Sequence, residues 1–336
     1  MGVSGGFDSH TPPPIPEANT IPFMTGSVFT IRQPGFSEKE GISMRSGKSG
    51  EFGFFFIMLA GIFWGTCGTA QSMAPAGANP LILGDLRMLL GGLFLFLILT
   101  LKRSTILKGP WPLFNTLGAA ACMACMQLFF FSAMIKTGVA IGTMVAVGTL
   151  PVFQGLAGRM FFQEKLDIRW QVAAILAISG CLLLCYRGSD SLLLNPLGIF
   201  LAVCASSCGT ISNVFIKRVR NFREPVETMA VVLFTGGLLA SPLLVSLKMQ
   251  WIMDPRSILV AIHLGLVTAA LGYSFFAFGI KTTPLSKAGI LTLTEPLTAF
   301  LLGVLFLKEQ MSLLMITGCL LLSTSFIVLS LSPGKH

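Results

Sequence analysis

From about residue 52 the chain runs as a succession of apolar stretches, each close to 20 residues, separated by short polar breaks. A helix needs about 20 apolar residues to cross roughly 30 Å of hydrocarbon. The pattern therefore predicts ten membrane-spanning helices over 52–73, 79–101, 111–134, 138–162, 168–186, 196–216, 226–247, 257–280, 285–307 and 312–331. Asn79-Pro80, Gly109-Pro110, Asn195-Pro196, Glu224-Pro225, Asp254-Pro255 and Thr283-Pro284 mark breaks between them, since proline has no N–H and tolerates only the first turn of a helix. The stretch before them reads differently. His10–Pro16 is rich in proline, and Gly, Ser and Lys crowd Met44–Gly50. Such composition cannot bury enough apolar surface to fold, so residues 1–51 are expected to form a disordered cytoplasmic tail, without the apolar core of a signal peptide.

The apolar pattern also repeats. Displaced by 145 positions, Phe130-Phe131, Ile135-Lys136-Thr137, Thr149, Pro151, Leu156, Gly158, Phe161 and Glu164 fall on Phe275-Phe276, Ile280-Lys281-Thr282, Thr294, Pro296, Leu301, Gly303, Phe306 and Glu309. These are 11 identities in the 35 ungapped positions 130–164. Each copy, 52–187 and 196–332, holds five spans. Five is odd, so the second copy enters the bilayer the other way up. The fold class expected is all-α integral membrane, ten transmembrane helices as two inverted five-helix repeats, a pattern associated with secondary transporters.

Composition and charge refine this reading. Only 11% of the 336 residues are charged, against about a quarter in soluble domains. The net charge of +9 would point to nucleic acid in a soluble protein; here it serves topology, and no nucleic acid is expected as a partner. With the N-terminus inside, sixteen of the 23 Lys and Arg fall in cytoplasmic segments and five in external ones, with Arg87 and Arg159 within spans. That bias predicts an inner-membrane protein with both termini cytoplasmic. All eight cysteines lie inside predicted spans, and Cys122 and Cys125 are read as small packing residues. No metal or other cofactor is expected. Three scattered histidines and the absence of HExxH or DDxxD patterns speak against a membrane enzyme. A channel would more often show rings of like side chains from several subunits than a duplicated single-chain bundle.

Several runs resemble the EamA family of the drug/metabolite transporter superfamily: Trp64-Gly65-Thr66, Asp85-Leu86-Arg87, Glu295-Pro296 with Gly303 and Lys308-Glu309, Ile280-Lys281-Thr282 with Lys287, and Gly318. The resemblance covers about residues 52–332. It implies two five-helix repeats around a central cavity, lined mainly by spans 1, 3, 4, 6, 8 and 9. It also implies transport, most often outward, of amino acids, their derivatives or other small amphipathic metabolites. The first copy departs from the pattern at Leu150-Pro151, which stands where the second has Glu295-Pro296.

Candidate residues follow from the cost of polarity in a bilayer. Glu295, in mid-span and just before Pro296, is the candidate for binding a substrate amine or carrying a coupling proton; the competing reading is a structural Glu bonded to Thr292 or Thr294. Gln127, Tyr273, Trp64 and Asn213 are candidates for the cavity wall, with Gln71 and Gln154 as weaker ones. Asp85 and Arg87, near the outer end of the second span, point to different faces of it; Arg87 is expected to snorkel to the interface or tie helices as a gate, with attraction of a carboxylate substrate as the alternative. Lys287 is expected at the cytoplasmic mouth, as an anchor or an anion attractor. His263 stands without a second His or a nearby acid in sequence. Glu164 and Glu309 are expected as symmetric structural pins, Gly91-Gly92 and Gly236-Gly237 as close helix contacts, and Pro151 and Pro296 as helix breaks where spans 3 and 4 swing against 8 and 9. The function expected is export of a small amphipathic metabolite by alternating access, proton-linked or facilitative, by a monomer or homodimer in the lipid bilayer. Uptake by the same fold is the alternative.

Overall fold

Apart from Gly2 and Leu247, the structure, a computed structural model, describes residues 48–103, 109–185, 195–244, 250–306 and 312–331. Most of the predicted tail and the pair Lys308-Glu309 therefore lie outside the described residues. The first helix already begins at Lys48, within the stretch read as tail.

All regular structure among the described residues is helical. Nine spans there are long and apolar enough to cross a bilayer: Phe52–Ser72, Pro80–Leu101, Leu113–Thr137, Ile141–Phe162, Pro196–Val219, Pro225–Leu243, Pro255–Ile280, Leu285–Phe306 and Leu313–Ser330. A shorter apolar helix, Ile168–Leu184, supplies the fifth of the ten. The breakers work as caps. Asn79, Asn195 and Asp254 accept backbone N–H groups from Leu81, Leu197 and Arg256 through their side-chain oxygens, and Pro80, Pro196 and Pro255 open the helices behind them.

Packing follows the repeat. The third span packs on the sixth and the first on the eighth, and exchanging the repeats turns one pair into the other. The second pairs with the seventh, the fourth with the ninth and the fifth with the tenth, each pair its own image. Without a hydrophobic effect between helices in lipid, small residues set these approaches. A Cβ on Gly92 would lie 2.7 Å from the Phe234 amide nitrogen, and one on Gly318 the same distance from the Gly180 carbonyl oxygen.

Three spans depart from regular helix. The fourth breaks at Thr149, between Val139–Gly148 and Leu150–Phe162, and the ninth at Thr292-Leu293, between Leu285–Leu291 and Thr294–Phe306. The breaks precede Pro151 and Pro296 by two to four residues, because a proline near a helix start offers no N–H to the carbonyl one turn back. The eighth span carries a π-helical segment, Leu264–Leu271. Its counterpart, the third span, is continuous over Leu113–Thr137. Periodicity alone gives no signal for this widening.

At one end of the bundle Glu164 accepts hydrogen bonds from the amides of Leu285 (2.6 Å) and Ser286 (2.8 Å), and faces Lys217 Nζ at 3.6 Å. Lys217 donates to the Thr283 carbonyl, and Trp170 Nε1 to that of Ser286. Spans 4, 5, 6 and 9 thus meet through one carboxylate, one ammonium and one indole. Beside them Arg223 donates to the carbonyls of Gly109 (2.7 Å) and Pro110 (3.2 Å), stacks 4.4 Å from the Trp111 ring and pairs with Glu227. Arg223→Ala is expected to cost about 3 kcal/mol, most of it from charge-assisted hydrogen bonds and some from the ring contact. Thermal unfolding in detergent should show a lowered midpoint, with Arg223→Lys in between because it keeps the charge and loses the planar fork.

Candidate functional site

Cavity-lining residues, apolar and polar, recur at helical spacing on several spans. On the third span they are Met123, Met126, Gln127 and Phe130; on the fourth Ala146, Val147, Leu150 and Gln154; on the sixth Ala205, Ser206, Gly209 and Asn213. These sets, spaced i, i+3, i+4, i+7 on the third span and i, i+1, i+4, i+8 on the fourth and sixth, put one stripe of each helix toward a common interior. With Trp64, Arg87, Tyr273, Thr292 and Glu295 they line a cavity with about 100 Å³ of free volume. At about 30 Å³ per water in the liquid, this is room for roughly three waters.

One wall carries charge. The Arg87 guanidinium lies 5.5 Å from the centroid of the Tyr273 ring, and the Trp64 and Tyr273 rings are 4.9 Å apart at an interplanar angle of 56°. Gly272 admits the indole: a Cβ there would sit 2.7 Å from Trp64 Nε1. Glu295 stands beside the break in the ninth span, and Arg87 is the charged group whose field acts on it. The threonines read as possible partners of Glu295 are engaged elsewhere. Thr292 donates to the Gly289 carbonyl at 2.9 Å and Thr294 to that of Leu291 at 2.5 Å. The first span lies close against the backbone of Glu295, since a Cβ on Gly65 would sit 2.7 Å from its carbonyl oxygen.

The structure brings together Glu295, Gln127, Tyr273, Trp64, Asn213 and Arg87, and adds Gln154. Gln127 also donates to the Gly84 carbonyl at 3.3 Å, so it both lines the cavity and ties two spans. Arg87, expected at a gate or helix tie, is on the cavity wall; Asp85 is buried outside it, with Oδ1 unpartnered among the described residues. Lys287 is off the cavity, its Nζ over the Phe54 ring at 5.4 Å. Gln71 turns away to Cys67. His263 Nε2 lies 2.9 Å from the Thr66 hydroxyl, which donates to the Phe63 carbonyl. That hydroxyl proton being committed, the imidazole must donate, and His263 latches the first span to the eighth. Sequence reading passed over Ser206, yet its spacing to Gly209 and Asn213 marks the same face. Pro151 and Pro296 sit just behind the two breaks. Among the described residues no three His, Cys, Asp or Glu are grouped to hold a metal.

Comparison with known proteins gives a consistent result. The model of the EamA-like transporter family matches residues 51–186 and 196–331, one match per repeat. An uncharacterized transporter of Bacillus subtilis, YwfM, is 36% identical over 282 residues, covering 84% of this chain and 94% of that protein. Protein PecM of Dickeya dadantii is 26% identical, over 81% of this chain and 90% of its own. A solved crystal structure superposes with a TM-score of 0.73 at 19% identity, over 83% of this chain and 95% of that one, a likeness of fold. This chain belongs to the EamA-like transporter family and is a multi-pass membrane protein.

Proposed function

We propose that this EamA-like transporter exports a small amphipathic zwitterion, an amino acid or a derivative of one, by alternating access, with both termini cytoplasmic. The observation that carries the reading is the meeting of Arg87 and Glu295, opposite charges on separate helices, at one cavity. A guanidinium suits a carboxylate and a carboxylate suits an ammonium. Both are costly in a bilayer unless they face water or a partner. The methionines, Phe130 and Leu150 line the apolar remainder.

The two helix breaks supply the moving parts. Charge bias assigns the end bearing Glu164 and Lys217 to the cytoplasm, and in this reading the Glu164 contacts to span 9 part when the cavity opens inward. Export, against uptake, rests on the family's usual direction.

Comparing metabolites in the medium of cells overexpressing the intact chain and Arg87→Met, at equal membrane abundance, tests the reading. A compound with both an amine and a carboxylate should accumulate outside only with the intact chain. Accumulation of neutral or purely anionic compounds alone would overturn the zwitterion assignment, and depletion of the medium would reverse the direction.

A further inference from the structure

The cavity lining also holds uncharged polar groups without partners. Gln154, on the second half of the broken fourth span, is 1% exposed, and neither its amide nitrogen nor its amide oxygen has a hydrogen-bond partner among the described residues. Ser206, on the sixth span, is 3% exposed with its hydroxyl likewise unpartnered. Both line the cavity. A buried polar group without a partner costs about 1–3 kcal/mol, and Gln154 and Ser206, along with Trp64 Nε1 and Arg87 Nε, leave such groups unmet at one cavity.

The position is also held rigidly. A Cβ on Gly289 would lie 3.0 Å from that of Gln154 and 3.1 Å from Pro151 Cα, so the ninth span presses on the fourth at this point. Gly155, the next residue, admits the Trp170 ring, whose Nε1 is fixed by the Ser286 carbonyl. The repeat sharpens the point. Displaced by 145 positions, Gln154 falls on Ala299, Ser206 on Gly61 and Glu295 on Leu150. Charge therefore belongs to the ninth span and the amide to the fourth, with neither echoed by its image.

We infer that Gln154 and Ser206 form a selectivity subsite that binds an uncharged donor–acceptor group, such as a carboxamide, on the part of the substrate remote from its charged end. This rests on the zwitterion reading above and deepens it. The substrate is then a polar zwitterion, and an apolar isostere would leave the Gln154 amide unpaired, which a site built on hydrogen bonds penalises.

Asparagine and leucine are near-isosteric and differ at the group in question. Counterflow of radiolabelled L-asparagine and L-leucine is to be measured in vesicles carrying the intact protein, Gln154→Leu or Ser206→Ala. The intact protein should favour asparagine, and Gln154→Leu should lower the asparagine-to-leucine ratio about tenfold, the worth of roughly one to two hydrogen bonds. Ser206→Ala should lower it severalfold. Counterflow of both probes with ratios unaltered in both variants would overturn the subsite and leave the zwitterion reading standing. Failure of the intact protein to move either probe would overturn both.

Discussion

Glu295→Gln is expected to lower saturable transport about 10- to 100-fold while the protein still reaches the membrane folded. The substitution keeps the shape and removes the charge. A charge-assisted contact contributes roughly 1.5–3 kcal/mol, and each 1.4 kcal/mol is a factor of ten. No fold-related hydrogen bond is lost, because Thr292 and Thr294 spend their protons on backbone carbonyls. Counterflow and proton-driven uptake, measured on the same vesicles across a pH series, separate the two roles of the carboxylate. Loss of both identifies an amine ligand. Retained counterflow with loss of proton-driven uptake and of pH dependence identifies a proton carrier. Unaltered rates in both assays would remove Glu295 from the cycle.

Two glycines one turn apart on the first span should behave in opposite ways. Gly65→Val would put a Cβ 2.7 Å from the Glu295 carbonyl oxygen and against Thr298. Backbone cannot move aside as a flexible side chain can, so the first span must shift from the ninth. Overpacking of this kind costs about 1–3 kcal/mol, and here it also displaces Glu295. Folded yield and transport should both fall sharply. A Cβ on Gly68, by contrast, meets nothing within 4 Å. Gly68→Ala should leave transport intact and raise stability by about 0.5–1 kcal/mol, the usual gain of alanine over glycine within a helix. Size-exclusion profiles after heating, read beside transport rates, distinguish the pair. Equal losses for both would mean that the first span does not lie against the ninth as described.

The contrast between these glycines shows where sequence stops being informative. Both stand in the same apolar stretch, and only the Trp64-Gly65-Thr66 run hinted that one of them matters. The cavity stripes were partly legible. Gln127, Asn213 and Gln154 are conspicuous as amides within spans, whereas Ser206 is lost in the small-residue run Ala205-Ser206-Ser207 until its helical phase with Gly209 and Asn213 is drawn. Arg87 was legible as an intramembrane charge and misleading as to place. Its two-residue spacing from Asp85 says that the two point apart; it does not say which one faces the centre.

By itself the sequence determined the two repeats, the ten spans, the breaks between them at Asn79-Pro80, Asn195-Pro196 and Asp254-Pro255, and the helix breaks near the paired prolines. Each follows from a rule that acts over one turn or one bilayer thickness: lipid leaves no partner for an open backbone, and proline offers no N–H. Tertiary structure alone decided that Arg87, Tyr273, Glu295 and Gln154 line one cavity, with Arg87 over the Tyr273 ring, and that the eighth span widens into a π-helix over Leu264–Leu271. These depend on how helices from opposite repeats rotate and approach, which small residues permit at many points along the chain and only the assembled bundle selects.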